Sequence, residues 1–289
     1  MLRRLSLISL AVAAALVGCR KPPPRPDAPT PRIVSFSPAI TGMCFEMGLG
    51  KHIVGVTTFC RLPDDHQDIP VVGDRARVSC EAILAVQPDI CLIQQNPADF
   101  AAVSRIDPEL QVEHFTIETL ADISAAITRI GKLAGRDDLA SRYSSEFEGK
   151  LEAVRIAFRD QHRPKVLFLL GYERPSTGGN GTFISEMIDL AGGTNAAASS
   201  GYSGWKMLNR ENIQAMAPEV LICQVSPGQE RQAEEYWQTL SDLPAVRLGR
   251  VHLVTDSRWT VPSIWSAGFA ENLAGMLHAE TKREGALRD

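Results

Sequence analysis

From Arg32 onward the chain alternates short aliphatic runs with longer segments whose apolar residues recur every three or four positions. The runs at 32–36, 53–56, 89–94 and 111–115 read as strands, and 39–47, 80–87, 98–106 and 120–134 read as helices. Strand alternating with helix predicts a parallel, doubly wound sheet, because parallel neighbours are joined by crossovers. The series restarts with a strand at 165–171. Helices follow at 183–191 and 209–217, then a strand at 219–224, a helix at 232–240, a strand at 251–255 and a last helix from 263 to about 281. Between the two series, Leu139, Tyr143, Phe147, Leu151, Val154 and Phe158 form one apolar stripe on a helix of roughly seven turns at ~3.6 residues per turn. The expected fold is α/β: two doubly wound lobes, 33–136 and 163–289, joined by a single long rigid helix within 137–162.

One stretch occurs twice. Glu81-Ala-Ile-Leu-Ala-Val-Gln-Pro-Asp in the first half matches Glu211-Asn-Ile-Gln-Ala-Met-Ala-Pro-Glu in the second, with Glu81/Glu211, Ile83/Ile213, Ala85/Ala215, Pro88/Pro218 and Asp89/Glu219 all offset by 130 residues. Each half carries a helix, a proline that stops it and an acidic residue that opens a buried strand. Glu81 and Glu211 fall in the first helical turn, where the helix dipole favours a carboxylate. That local effect accounts for either glutamate alone. An equivalent anionic point on each lobe suggests, in addition, a surface that docks a positively charged partner.

The composition, 44% hydrophobic and 22% charged over 289 residues, excludes global disorder and coiled coil. A formal charge of −4 lacks the positive excess that a nucleic-acid partner requires. Residues 1–18 stand apart: Arg3-Arg4 precedes an apolar run over 5–17 with the layout of an export signal. The run is too short to cross a bilayer, which takes roughly 20 apolar residues. It ends in Leu16-Val17-Gly18-Cys19, which resembles a bacterial lipobox with Cys19 as the lipidated residue. Cleavage leaves 28 basic against 34 acidic residues, a net −6. Residues 19–32 hold six of the eighteen prolines and form a semi-rigid tether. The body is thereby expected outside the cytoplasm, anchored by lipid to a cell membrane, where ATP and nicotinamide cofactors are scarce and thiols can oxidise.

The lipobox, the block RIVSFSPAITGMCFEMGLG at 32–50, the repeated Glu-initiated blocks, the linking helix and GGNGTFISEMIDLAGGTN at 178–195 together resemble the solute-binding lipoproteins of ABC importers for cobalamin and ferric siderophores. The similarity runs from Arg32 to about Thr281. It implies a monomeric binding protein without catalysis or cofactor, whose two lobes hold a ligand in the cleft between them and close little. It implies as partners an ABC permease and its ATPase subunits, with one glutamate per lobe meeting permease arginines; by motif these are Glu81 and Glu211.

Trp205, six residues before Glu211, matches an aromatic of the cobalamin-binding members, and Phe59, in the loop after the second strand, matches another. Tyr172, after the first strand of the second lobe, and Trp259, in the Asp256-Ser-Arg-Trp loop, are further candidates for the apolar faces a large flat ligand needs. Trp237 and Trp265, within or at the start of amphipathic helices, read as core. The chain departs from the cobalamin pattern at Arg75, where the family often carries an aromatic. Guanidinium groups favour carboxylate, phosphate or catecholate oxygens. Arg75, with Arg61, Arg174 and Arg258 as possible neighbours, therefore leaves a ferric siderophore or haem open beside the first expectation, a corrinoid.

Other chemistries leave little trace. Gly178-Gly179-Asn180-Gly181 has neither the Lys-Ser/Thr of a phosphate loop nor the third glycine of a dinucleotide fingerprint. Gly201-Tyr202-Ser203-Gly204 lacks the spacing of a nucleophile elbow. Without a nucleophile and base pair a lipid-anchored enzyme has no support, and the six histidines show no paired metal-ligand spacing. Cys91 and Cys223, in aliphatic runs, read as buried apolar residues. Cys60 and Cys80, on the expected cleft side of one lobe, are candidates for a disulfide.

Overall fold

The computed structural model describes residues 30–74 and 77–279. The leader, Cys19, most of the tether and Arg75 lie outside these residues.

The first lobe runs β1 (Ile33–Ser35), α1 (Pro38–Glu46), β2 (Ile53–Thr57), β3 (Val71–Gly73), α2 (Cys80–Ala85), β4 (Ile90–Ile93), α3 (Ala101–Ile106), β5 (Gln111–His114) and α4 (Leu120–Leu133). Its five strands lie in the order β3-β2-β1-β4-β5, all parallel. Successive residues of a strand point to opposite faces, so Ile33 joins the core of α1 and α4 while Val34 joins Phe36, Ile83 and Phe100 on the other side. Helices thus cover both faces of the sheet, and its central strands β2, β1 and β4 read as near-continuous apolar runs.

Next comes α5 (Asp137–Phe158), 22 residues and about 33 Å at 1.5 Å per residue. Leu139, Phe147 and Val154 of its stripe are buried. It packs along α4 of the first lobe and against α6 (Phe183–Leu190) and α11 (Ser266–Leu277) of the second. Contact with α4 is close because Gly131 lacks a side chain: a Cβ there would stand 2.7 Å from that of Ala140.

The second lobe opens with β6 (Lys165–Leu170) and β7 (Ser176–Gly178). After α6 it continues through β8 (Thr194–Asn195), α7 (Ala196–Ser199), β9 (Trp205–Met207), α8 (Arg210–Met216), β10 (Val220–Gln224), α9 (Glu230–Gln238), α10 (Pro244–Arg247) and β11 (Val251–Val254), ending with α11. The order is β11-β10-β6-β7-β9, with β8 pairing β6. β6, β10 and β11 are parallel as expected, but β7 and β9 form an antiparallel extension. These strands are three residues long, too short for an alternation to register.

The repeat has a structural half. Asp89 and Glu219 each accept a hydrogen bond at 2.7 Å from the backbone N–H of the residue at the head of the neighbouring strand segment, Arg32 and Lys165. Gln87 (φ 48°) and Ala217 (φ 44°), again 130 residues apart, are the two non-glycine residues with left-handed backbone among the described residues, and each ends its helix just before the repeat proline. Replacing either carboxylate, as Asp89→Ala or Glu219→Ala, is expected to cost about 1–2 kcal/mol in urea unfolding. No change in midpoint would refute the strand-clamping role.

Burial pushes the imidazoles of His52, His252 and His278 below the ordinary 6.5, against hydrogen bonds to the Pro31 and Ala191 carbonyls at His52 and His278, and nearby cations add to the shift. The unfolded chain takes up protons that the folded chain refuses. This stability is complete above pH 6.5 and is lost as the pH falls below it. The thermal midpoint should therefore drop between about pH 7 and about pH 5, above the range where carboxylates titrate. A flat midpoint across that interval would contradict it.

Candidate functional site

Loops leaving the carboxyl ends of doubly wound strands are where such sheets bind ligands. Here those loops meet between the lobes at two junctions. At one, the Phe183 N–H donates to the Glu118 carbonyl at 2.6 Å and the Leu120 N–H donates to the Glu186 carboxylate at 2.6 Å. At the other, the Ser263 hydroxyl donates to the Ala39 carbonyl at 3.2 Å, the Trp265 ring lies against Gly42, and Arg61 exerts its charge on Asp256. The candidate cleft lies between these junctions.

Phe59, in the loop after β2, is 66% exposed. The loop is held from below by a hydroxyl network. Thr41 Oγ1 donates to Ser35 Oγ at 2.8 Å, and Cys60 Sγ lies 3.1 Å from Thr41 Oγ1 and 3.2 Å from Thr57 Oγ1. Ser37 Oγ bonds the side chain of Gln94 beyond β4. In the second lobe, Trp205 is 37% exposed with its ring 6.1 Å from Phe183, which places it beside the first junction. Met207, 65% exposed, stands two residues on, opposite Ser176 at the carboxyl end of β6. Sequence reasoning missed Met207; its spacing from Trp205 on an extended segment was the available signal. Tyr172 is half-buried and turns toward α9, its ring 5.7 Å from Tyr236, where the two border a shallow hollow of about 600 Å³.

Three expectations are corrected. Trp259 is 4% exposed, stacked on Phe269 with ring centroids 4.5 Å apart and 5.9 Å from Phe168; it is core, because its short helical turn folds inward over β6. Trp265, expected in the core, is half-buried at the second junction, whereas Trp237 is fully buried as expected. Cys60 and Cys80 are free thiols on opposite faces of the first sheet, Cys60 against the α1 side and Cys80 with Val34 and Cys91, so the sheet itself separates them. Cys91 and Cys223 are fully buried, and burial pushes both thiols up to about 12.

The basic residues are unequal. Arg258 grips the Asp256 carboxylate through Nε at 2.9 Å and Nη2 at 2.7 Å, and this bond holds the carboxyl below its usual range. Its charge is locally neutralised. Arg61 and Arg174 are exposed. Glu81 and Glu211 are each the second residue of their helix, after the N-caps Ser79 and Asn209. Both are exposed, and no described side chain is seen paired with either carboxylate. Among the described residues no group of three or more His, Cys, Asp or Glu could hold a metal ion, and no helix is long and apolar enough to cross a membrane.

The family model described as periplasmic binding protein matches residues 33–257. The chain belongs to the periplasmic binding protein family. Among curated members, it is 25% identical over 263 residues to the uncharacterized ABC transporter substrate-binding lipoprotein YvrC of Bacillus subtilis, covering 88% of this chain and 82% of that one. The periplasmic heme-binding protein RhuT from Roseiflexus sp. RS-1 superposes with a TM-score of 0.72 at 26% identity, covering 86% of this chain and 97% of the other. The periplasmic vitamin B12 binding protein BtuF of Vibrio cholerae superposes with a TM-score of 0.75 at 19% identity, covering 88% and 99%. The two-lobed frame with its helical spine is thus common to periplasmic binding proteins whose named ligands differ.

Proposed function

We propose that this periplasmic binding protein is the lipid-anchored solute receptor of an ABC importer and captures a corrinoid between its lobes. What supports the ligand class is an exposed apolar side chain on each lobe, Phe59 on one and Trp205 with Met207 on the other, together with an Arg258 already neutralised by Asp256. An anionic chelate needs unpaired cations at its oxygens; a neutral or weakly charged macrocycle needs apolar walls and a few polar partners, of which the half-buried Gln94 is one. Glu81 and Glu211 dock the loaded receptor on the permease, and Cys19 carries the anchor. Haem is the second reading, favoured by the exposed Arg61 and by the likeness to a heme-binding structure.

Thermal unfolding against cyanocobalamin, haemin, ferric siderophores and free divalent metals tests this. A ligand at a hundred times its Kd adds about 2.7 kcal/mol of stability. Stabilisation by cyanocobalamin alone is expected. A shift only with haemin or a ferric chelate would transfer recognition to the arginines. Cys19→Ser is expected to move the protein from the membrane to the soluble fraction of fractionated cells, and retention in the membrane fraction would refute the anchor.

A further inference from the structure

The two junctions between the lobes differ in kind. At Glu118–Phe183 the contacts are hydrogen bonds at the foot of α6, one from backbone to backbone and one from the Leu120 N–H to the Glu186 carboxylate. At the other, an aromatic side chain of the second lobe is seated in a recess of the first. The Trp265 Nε1–H donates to the carbonyls of Arg258 and Val261, both at 3.1 Å, and the Arg258 guanidinium lies 5.7 Å from the ring centroid. The ring is therefore fixed by its own lobe. Its far edge reaches α1 at Gly42, where a Cβ would come within 2.1 Å of Cη2 and 2.7 Å of Cζ3. Residues 39–44 of α1 are all buried. A surface helix ordinarily keeps one wet face; this one is covered by its own sheet on one side and by the second lobe on the other. Charges of opposite sign also face each other across the junction, Arg61 with Asp256 and Glu46 with Arg258.

The geometry points to Trp265 as a positioning residue: a wedge whose thickness, set against the bare backbone of Gly42, fixes the separation of the lobes and hence the width of the cleft. Packed interiors do not compress, so ring against backbone sets the closest approach at this end, while the hydrogen-bonded junction at Glu118 holds the other. A flat ligand between Phe59 and Trp205 is gripped only at a matched width. The inference rests on the cleft being the ligand site, so its test has one arm without ligand. Spin labels carried by non-natural residues at the exposed positions Asp99 and Glu234, one per lobe, report interlobe distance by pulsed electron resonance. Gly42→Leu should lengthen that distance, Trp265→Ala should shorten or broaden it, and the combined variant should return toward the parent. Gly42→Ala serves if the leucine variant does not fold. Binding of cyanocobalamin and haemin, followed by calorimetry, should weaken at least tenfold in each single variant for whichever compound the parent binds, with recovery in the combined one. Unchanged distances in both single variants would overturn the wedge, as would shifted distances with unchanged affinity. If the parent binds neither compound, the ligand assignment fails and the distance arm alone still decides the wedge.

Discussion

Reversing both exposed charges proposed to dock the permease, Glu81→Arg with Glu211→Arg, is expected to abolish ligand uptake by whole cells while leaving the affinity of the purified protein unchanged. The two carboxylates occupy the same place in each lobe, second in a helix whose preceding residue caps it, and both are exposed with no described side chain seen paired with them. A surface charge that no internal partner uses is available to an external one. Like charges brought together in an interface cost several kcal/mol, enough to reduce docking by two orders of magnitude or more at ~1.4 kcal/mol per factor of ten. The folded state loses only the dipole contribution, about 0.3–1 kcal/mol for each site, so the thermal midpoint should shift little. Each single reversal should give partial uptake. Wild-type uptake by the double variant, at equal abundance in the membrane fraction, would refute the docking role.

The pair also shows which features were legible in the sequence. The repeat put Glu81 and Glu211 at equivalent places because it is carried by residues with strong local signals: a buried isoleucine, a proline after the helix, and an acid that clamps the neighbouring strand. The spine was legible for the same reason, since Leu139, Phe147 and Val154 bury one face at helical spacing. What failed depends on tertiary packing. Trp259 and Trp265 sit six residues apart in a Ser- and Pro-containing stretch, and nothing local says that the first turns into the core while the second reaches across to Gly42. Cys60 and Cys80 share a lobe, yet a sheet stands between them, and only the strand order reveals it. Met207 escaped because the three-residue edge strand that carries it is too short to be recognised as a strand, so its two-residue spacing from Trp205 went unused.

That division separates two kinds of tryptophan by experiment. Phe59→Ala with Trp205→Ala should lower corrinoid affinity by about a thousandfold, taking ~2 kcal/mol for each aromatic anchor and ~1.4 kcal/mol per factor of ten. The same double variant should lose only about 1–2 kcal/mol of stability, because Phe59 is 66% exposed and Trp205, 37% exposed, buries only part of its ring beside Phe183. Trp259→Ala reverses the pattern. Its ring is packed between Phe168 and Phe269, and the vacated space should cost about 3–5 kcal/mol of stability, whereas ligand affinity of the protein that remains folded should hold. Urea unfolding and calorimetric titration on the same three proteins give both quantities. A double variant that binds as the parent does would remove Phe59 and Trp205 from the site. A Trp259→Ala protein of normal stability and lost affinity would put that ring back in the cleft, against the burial and the stacking that place it in the core.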